Sequence, residues 1–306
     1  MDIFFSGELF ERIEKNKIGE GAQGAVYKGE WHGQEAAFKT NKWNLANWIF
    51  IDPTVAQLKL AIEEVYKLKQ IATNDRSACV LFPMAHYRQT YEDEDVSDVY
   101  VYPLCEMDLA VYLDKYKPAG LIIKQIFIQC ASSIKFISSH GFRHNDVKPK
   151  NYLIRHEDGL VRVYLSDFGF EGEIKGGTPL FSSPECFLGT EVELSDIYSL
   201  GKTFLYSLME PKMFRYFVTF PVDYEDDKIM NLLYDALVQL PFTYYIKRML
   251  DPNPANRPRI DDVIVKVKEL DLDEKLQEFQ IKLQRAFLKV RTSATYELEH
   301  HMQQLK

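Results

Sequence analysis

The sequence has few cysteines, and they are not arranged to bind zinc or to form disulfides. Cys79, Cys105, Cys130 and Cys186 lie far apart, and no two of them form a CxxC pair. A disulfide framework or a zinc site needs paired or closely spaced cysteines, so we expect neither. Reduced thiols are typical of intracellular proteins, and we therefore expect a cytoplasmic or nuclear protein.

Positive charge and long apolar runs are also scarce. With 37 basic against 45 acidic residues, the net charge is −8. This argues against a nucleic-acid partner, because phosphate contacts need clustered Lys and Arg. The longest apolar stretch, residues 121–138, is interrupted by Lys124 and Lys135, so no membrane span is expected. The opening MDIFFSGELF lacks the basic region and the cleavage site of a secretory signal.

The order of the predicted elements indicates an α+β fold. The first hundred residues are rich in strand patterns, with a predicted hairpin turn at His32-Gly33 and a helical pattern at residues 55–71. Residues 106–268 are mostly helical in pattern, apart from two strand-like segments joined by the turn HEDG. We predict a small β-rich lobe at 1–103, a larger α-helical lobe at 104–268, and a helical tail at 269–306.

The tail carries an apolar stripe that predicts an amphipathic helix. Its apolar residues alternate steps of four and three: Leu272, Leu276, Phe279, Leu283, Ala286 and Val290, with Leu298, Met302 and Leu305 further on. The stripe could pack on the chain's own larger lobe, or residues 270–306 could form a homodimer or engage a partner helix. The sequence leaves these alternatives open.

A glycine-rich segment near the start of the chain predicts a hairpin that covers a nucleotide. GEGAQG places Gly19, Gly21 and Gly24 in a GxGxxG pattern, which dinucleotide-binding folds share. Those folds continue into a helix, whereas the residues that follow here have the pattern of strand, turn and strand. Glycines in such a hairpin let backbone N–H groups approach phosphates. The sequence therefore favours a flap over a nucleotide.

Lys39 is the first residue with a predicted role in binding phosphate. It ends the segment AAFK, a predicted buried strand in which an unpaired ammonium would be costly. Phosphate oxygens and a carboxylate would supply the anions that it needs. The helical pattern at 55–71 offers Glu63 and Glu64, and Glu64 is the better candidate because Glu63 would lie one helical step aside.

The segment FRHNDVKPKNYL, residues 142–153, concentrates groups that suit phosphoryl transfer. A hydroxyl nucleophile needs a carboxylate to orient it and to accept its proton, and Asp146 can do this. Lys148 can neutralise charge on the transferring group, and Asn151 offers a neutral oxygen ligand for a hard metal such as Mg²⁺. Asp167, which follows a strand pattern in SDFG, is a second predicted metal ligand.

Together these segments resemble a eukaryotic protein kinase domain across about residues 12–268. The matching segments are GEGAQGAV, AAFK, HNDVKPKN, DFG, GTPLFSSPE at 177–185, DIYSLG at 196–201 and NPANRP at 253–258. Their order and spacing match as well as their residues. The resemblance implies a two-lobed kinase fold that binds ATP and Mg²⁺ and phosphorylates a protein substrate.

The resemblance also implies a role for each matching residue. Lys39 would contact the α- and β-phosphates and pair with Glu64. Asp146 would be the catalytic base, while Asn151 and Asp167 would hold Mg²⁺. The residues implied around the adenine are Val26, Ala37 and Leu153, the gatekeeper Tyr102, the Pro103 carbonyl and the Cys105 N–H. The implied structural features are a Glu185–Arg257 ion pair, Asp196 as a brace of the catalytic loop, and a packed column of Leu68, His144 and Phe168.

The substrate class can also be inferred from the resemblance. Thr178 and the pair Lys148-Pro149 resemble the serine/threonine kinases. The hairpin sequence GEWHGQEAAFK resembles that of their tyrosine-kinase-like group. We therefore expect phosphorylation of Ser and Thr hydroxyls.

One residue departs from the family pattern. Where the family has His-Arg-Asp, this chain has His144-Asn145-Asp146. The missing Arg commonly binds a phosphorylated residue of the activation loop, and the segment FEGEIKGG before Thr178 contains no Ser, Thr or Tyr. Because the phosphate and its receptor are absent together, we predict a kinase that is active without activation-loop phosphorylation. The alternative is a pseudokinase that acts as a binding or scaffold module through its C-terminal helix.

Overall fold

A computed structural model of the chain describes residues 16–21, 24–43, 68–70, 78–90, 96–167, 178–187, 194–209, 214, 241–272, 276–281, 284–285 and 288. The chain divides into two compact units. The first comprises Met1–Asp108 and Leu153–Ile174, and the second comprises Leu109–Tyr152 and Lys175–Lys306. Strands dominate the described part of the first unit and helices that of the second. The predicted α+β fold, with a β-rich and a helical lobe, is confirmed, while the boundaries at 103 and 268 stay predictions.

The first unit is built on a five-stranded antiparallel sheet in the order β1-β2-β3-β5-β4. Its strands are β1 (Lys17–Gly21), β2 (Gly24–Trp31), β3 (Gln34–Trp43), β4 (Ala85–Thr90) and β5 (Val96–Pro103). The turn between β2 and β3 is His32-Gly33, as predicted, with φ of 49° and 78°. Two successive positive φ angles suit a two-residue hairpin, because they match the twist of the flanking strands.

Alternate residues of three neighbouring strands form the core of this sheet. Successive side chains of a strand point to opposite faces, so residues two apart share a face. The buried cluster contains Ala25 and Tyr27 of β2, Ala36 and Phe38 of β3, and Val99 and Val101 of β5. These residues bury one face of β3, the middle strand of the sheet. Lys39 is the residue that follows Phe38 on this strand.

A second, three-stranded sheet has the order β6-β7-β8. Its strands are β6 (Met107–Asp108), β7 (Tyr152–Glu157) and β8 (Leu160–Leu165). The end of β8 also binds the segment before β4: Leu81 N–H donates to the Leu165 carbonyl at 2.8 Å, and Leu165 N–H donates to the Cys79 carbonyl at 2.9 Å. These bonds fix the point at which the chain leaves β8 towards Asp167.

The described part of the second unit is helical. Its helices are α1 (Leu109–Tyr116), α2 (Gly120–Ser139), α3 (Pro184–Phe187), α4 (Ser195–Leu208), α5 (Pro241–Met249) and α6 (Ile260–Lys268), with short 3-10 turns at Pro149–Asn151 and Pro254–Asn256. Aromatic side chains join three of these helices. The rings of Phe127 in α2 and Phe204 in α4 stack at 4.0 Å, and Phe242 of α5 lies within 6 Å of both.

The crossing of α4 and α5 depends on a glycine. A Cβ added at Gly201 would lie 2.9 Å from the Cβ of Met249 and 3.2 Å from Leu250. Atoms of this kind cannot approach so closely without a shift of the helices. Gly201 is therefore required for the close approach of the two helices.

Helix α2 is long and apolar enough to cross a membrane by length and composition alone. Core helices of globular proteins meet the same test, and ten of its residues are buried, among them Ile126, Phe127 and Ile137. The helix thus serves as a central packing element of the second unit.

The tail begins by packing on the chain itself. Leu272, Leu276 and Phe279 are only 3%, 6% and 3% exposed. The Lys124 ammonium of α2 donates to the Leu270 carbonyl at 2.6 Å, just before these residues. The other residues of the predicted stripe lie outside the described residues, and a homodimer or partner helix stays a prediction.

Candidate active site

The glycine-rich segment forms an antiparallel hairpin. Gly19 pairs with Val26, and Gly21 pairs with Gly24, across β1 and β2. Residues 22–23 lie outside the described residues. Strand follows strand here, so the segment has the hairpin topology predicted from the sequence rather than the strand–helix topology of a dinucleotide-binding motif.

Lys39 forms an ion pair with Asp167. Lys39 lies on β3, between Val26 of β2 and Tyr100 of β5, and its ammonium contacts Asp167 Oδ1. The Lys39 side chain is 17% exposed and that of Asp167 is 45% exposed. Asp167 has a φ of 63°, a conformation that is uncommon for residues other than glycine. Glu64, the predicted carboxylate partner of Lys39, lies outside the described residues.

The residues implied to surround an adenine share one property: all six are half-buried. Ala37 pairs with Tyr102 across β3 and β5, and the neighbouring pair is Ala36 and Pro103. Leu153 lies on β7 opposite Asp108. Val26 and Cys105 complete the set, and their adenine-binding roles stay predictions.

The Cys105 thiol is held in its neutral form. Burial raises the pKa of this thiol to about 12; the charge of Arg155 opposes the shift, while Glu157 and Glu106 add to it. The sulfur lies 3.8 Å from the carbonyl oxygen of Pro103. Cys105 is therefore a neutral, weakly polar neighbour of that carbonyl.

Asp196 braces the loop that carries Asp146. Its carboxylate, at the start of α4, accepts the N–H of His144 at 2.7 Å and the N–H of Asn145 at 2.9 Å. Burial raises the pKa of the Asp196 carboxyl, although the neighbouring His144 and these two N–H donors act in the opposite direction. The structure thus places Asp196 where the resemblance implied.

Asn145 adopts a left-handed backbone conformation, with a φ of 63°. Asn is among the side chains that tolerate this region best. Its side chain is exposed, while its N–H is held by Asp196. The residue that replaces the family's Arg therefore suits the backbone geometry of the loop.

Four donors converge on the Asp146 carboxylate. Thr178 donates its N–H at 3.0 Å and its hydroxyl at 2.8 Å to Oδ1. The Lys148 ammonium and the Asn151 amide, the latter at 3.0 Å, donate to Oδ2. Lys148 also donates to the Thr178 hydroxyl at 2.6 Å. This "Asp146 cluster", namely Asp146, Lys148, Asn151 and Thr178, fixes both oxygens of the carboxylate.

The residues predicted to hold Mg²⁺ have suitable chemistry. Asn151 Nδ2 also donates to the Asp146 carbonyl at 2.8 Å, and this leaves Oδ1 as the ligand atom of the carboxamide. Asp167 offers a half-exposed carboxylate. Among the described residues no group of three or more His, Cys, Asp or Glu could hold a metal by itself. Mg²⁺ commonly takes one or two protein carboxylates and completes its shell with waters and phosphates, and the Asp167 carboxylate is of the type that it takes.

A buried ion pair joins Glu185 and Arg257. The Arg257 guanidinium contacts both carboxylate oxygens, with its second nitrogen 2.8 Å from Oε2. Burial alone would raise the pKa of the Glu185 carboxyl, but donors from Arg257, its own backbone N–H, Ser195 and Ser183 lower it to about 2. The pair implied by the resemblance is present. Leu68 and His144 are likewise buried, whereas Phe168 lies outside the described residues.

Two features of the site were not found from the sequence. In the sequence, Thr178 is only one residue of the matching segment GTPLFSSPE. Its contact with Asp146 joins residues that are 32 positions apart. A second contact, between Glu106 and His156, joins two exposed residues that no motif contains. Only the family spacing could have indicated the first, and nothing in the sequence indicates the second.

Comparison with known proteins gives the family match. Residues 12–268 match the family model described as "Protein kinase domain". One relative is the dual specificity protein kinase shkD of Dictyostelium discoideum, 26% identical over 87% of this chain and 36% of the relative. Another is the human serine/threonine-protein kinase ULK1, 27% identical over 83% of this chain and 25% of the relative. The cyclin-dependent kinase B1-1 of Arabidopsis thaliana is 26% identical over 74% of each chain. This chain therefore spans about a third and about a quarter of the length of the first two relatives.

Proposed function

The chain belongs to the protein kinase domain family, and from this premise we propose that it transfers the γ-phosphate of Mg-ATP to Ser and Thr hydroxyls of protein substrates. The observation that carries the proposal is the Asp146 cluster, in which four donors orient one carboxylate. Names of relatives support the substrate class, since ULK1 is a serine/threonine-protein kinase.

Asp146 acts as the general base. Its carboxylate orients the substrate hydroxyl and accepts the proton late in the transfer. Because Lys148, Asn151 and Thr178 hold both oxygens, the carboxylate enters the reaction with its direction already set. Lys148, whose side chain is 20% exposed, neutralises charge on the transferring phosphoryl group.

Lys39 and Asp167 bind the nucleotide and its metal ion. Lys39 binds the α- and β-phosphates, and Asp167 and Asn151 supply oxygen ligands for the metal. Held by Asp167 and Asn151, Mg²⁺ would offset the negative charge of the phosphates. The Lys39–Asp167 ion pair holds the ammonium and the carboxylate next to each other.

Thr178 supports the assignment to Ser and Thr substrates. Its hydroxyl donates to Asp146 and accepts from Lys148, so it links the base to the phosphate-neutralising ammonium. Phosphoamino-acid analysis of the product tests the substrate class. We expect phosphoserine and phosphothreonine, and a product containing only phosphotyrosine would contradict this part of the proposal.

Activity without activation-loop phosphorylation is a further part of the proposal. It is supported by the sequence of residues 170–177, which contains no Ser, Thr or Tyr, and by Asn145, whose neutral side chain replaces the Arg that would bind a phosphate. Protein treated with phosphatase should keep its turnover. A large loss of turnover that autophosphorylation restores would contradict this part.

The main test compares wild type with Asp146→Asn in transfer of γ-phosphate to casein and histone. Removal of the base should lower the rate at least about 1,000-fold, while Mg-ADP binding measured by calorimetry should remain. Asp158→Asn is the matched control: Asp158 is exposed on the β7–β8 turn with a φ of 51°, which Asn tolerates. Wild-type protein that binds Mg-ATP but transfers phosphate no faster than Asp146→Asn would instead indicate a pseudokinase scaffold.

A further inference from the structure

The linker between β5 and α1, residues 103–108, is tied to β7 by three contacts of one residue. Glu106 N–H donates to the Ile154 carbonyl at 2.9 Å. The His156 N–H donates to Glu106 Oε1 at 2.8 Å, and the His156 ring nitrogen Nδ1 lies 2.8 Å from Oε2. Glu106 thus uses its backbone and both carboxylate oxygens on β7. We call Glu106 and His156 together the linker clamp.

The linker clamp continues directly into a short antiparallel ladder. Met107 pairs with Ile154 and Asp108 pairs with Leu153. This ladder has only two residues on the linker side, too few to define a register strongly by themselves. Glu106 directly precedes this ladder. Its carboxylate adds two hydrogen bonds at the end of the ladder nearer to Cys105 and Pro103. A slip of the linker by one residue would break all three Glu106 contacts together.

The chemistry of the clamp suits a fixed contact rather than a ligand site. The backbone N–H and the ring of His156 lower the pKa of the Glu106 carboxyl, with a smaller contribution from the charge of Arg155. The side chains of Glu106 and His156 are 45% and 38% exposed, so water reaches the pair but its oxygens are already engaged. Both oxygens of the Glu106 carboxylate are therefore occupied by β7.

We propose that the linker clamp is a positioning device for the adenine of ATP. It fixes the linker against β7, and so sets the Pro103 carbonyl and the Cys105 N–H relative to Leu153, the three groups expected to meet the base. This inference rests on the proposed kinase function. Glu106 and His156 act through the linker and touch no reacting atom, so they are positioning residues. Their loss weakens nucleotide binding and leaves the chemistry of Asp146 unchanged.

The test measures KM for ATP, kcat, and the Kd of Mg-ADP for four variants. Glu106→Ala removes both carboxylate contacts and should raise KM and Kd about fivefold, with kcat within about twofold of wild type. His156→Ala removes the ring contact with Glu106 but keeps the backbone N–H contact, and should raise both KM and Kd about twofold. His156→Asn keeps a donor close to the position of Nδ1 and should restore wild-type values. Glu30→Ala, at an exposed glutamate of β2, is the control and should change none of them.

The outcomes separate this inference from the function on which it rests. If wild type transfers no phosphate, the proposed function fails, and the clamp is then judged from the Kd of Mg-ADP alone. If wild type is active but Glu106→Ala leaves KM and Kd unchanged, the clamp proposal is wrong. It is also wrong if kcat falls while KM stays constant, or if His156→Asn behaves as His156→Ala. If the role is purely structural, all three clamp variants should have a lower melting temperature, and KM should not rise while kcat stays constant.

Discussion

The second unit contains two carboxylate–cation pairs that differ in how far their side chains are exposed to solvent. In the Glu185–Arg257 pair, the side chains are 9% and 0% exposed. In the Asp146–Lys148 pair they are 17% and 20% exposed. The first pair is almost closed to water, whereas the second is partly exposed.

The surroundings of the two cations differ in the same way. The Arg257 guanidinium also donates to the carbonyls of Asp251 at 2.8 Å and Leu194 at 3.0 Å, and it lies 4.9 Å from the ring of Tyr198. Its donors are thus used within the protein, as a buried charge requires. The Lys148 ammonium contacts only Asp146 and the Thr178 hydroxyl among the described residues. We expect the closed pair to serve stability and the partly exposed pair to serve chemistry, and the following predictions test that distinction.

The largest effect on stability is expected from Arg257→Met. The substitution leaves the Glu185 carboxylate buried without its partner, so the free energy of unfolding should fall by about 3–5 kcal/mol. Urea denaturation measures this change. Lys266→Met, which removes an exposed Lys266–Glu269 pair, is the control and should cost less than about 1 kcal/mol. A loss of similar size in both variants would mean that burial does not distinguish the pairs.

Lys148→Met should lower turnover strongly and stability only slightly, which is the opposite of the effect expected for Arg257→Met. It removes charge stabilisation from the transferring phosphoryl group, so kcat should fall about 100-fold. The free energy of unfolding should fall less than in Arg257→Met, because Asn151 and Thr178 still donate to the Asp146 carboxylate. Lys150→Met is a matched control at an exposed lysine two residues further on and should keep normal turnover. If Lys148→Met unfolds the protein as readily as Arg257→Met does, the proposed division between closed and partly exposed pairs is wrong.

The smallest effect is a pH dependence of the closed pair. The pKa of Glu185 is lowered to about 2 from an ordinary 4.5. The ionised carboxylate therefore contributes stability that is fully present above about pH 4.5 and is lost as the pH falls towards 2. The difference in unfolding free energy between wild type and Glu185→Gln should be constant from pH 7 to about 5 and should shrink below about 4.5. A difference that grows as the pH falls would reverse the sign and contradict the lowered pKa.

Local patterns in the sequence were enough to place Asp146, Lys148 and Asn151 together, although not Thr178, the fourth member of the Asp146 cluster. Asp146, Lys148 and Asn151 lie within six residues, and the 3-10 turn at Pro149–Asn151 brings the Asn151 amide back to Asp146. The β2–β3 hairpin was also predictable, because a two-residue turn between strand patterns leaves few alternatives. These features depend on neighbours in the chain.

Contacts between distant segments could not be predicted in the same way. The Lys39–Asp167 pair spans 128 residues and depends on how β8 binds the segment before β4. The linker clamp joins exposed polar residues 50 apart, and exposed residues carry no periodic pattern. The buried Glu185–Arg257 pair was expected only through the resemblance to kinases, since neither residue has a local signal. Glu64, Phe168 and residues 170–177 lie outside the described residues, so the expectations about them stay predictions.

The buried thiol of Cys105 determines how this protein responds to covalent labelling reagents. With a pKa of about 12, on the order of one thiol in 100,000 is the reactive thiolate at pH 7. Acrylamides and similar electrophiles that bind at the linker should therefore leave Cys105 unmodified, despite its position in the chain. Selective inhibitors of this protein would instead depend on reversible contacts. Pro103, for example, offers a carbonyl acceptor but no N–H donor.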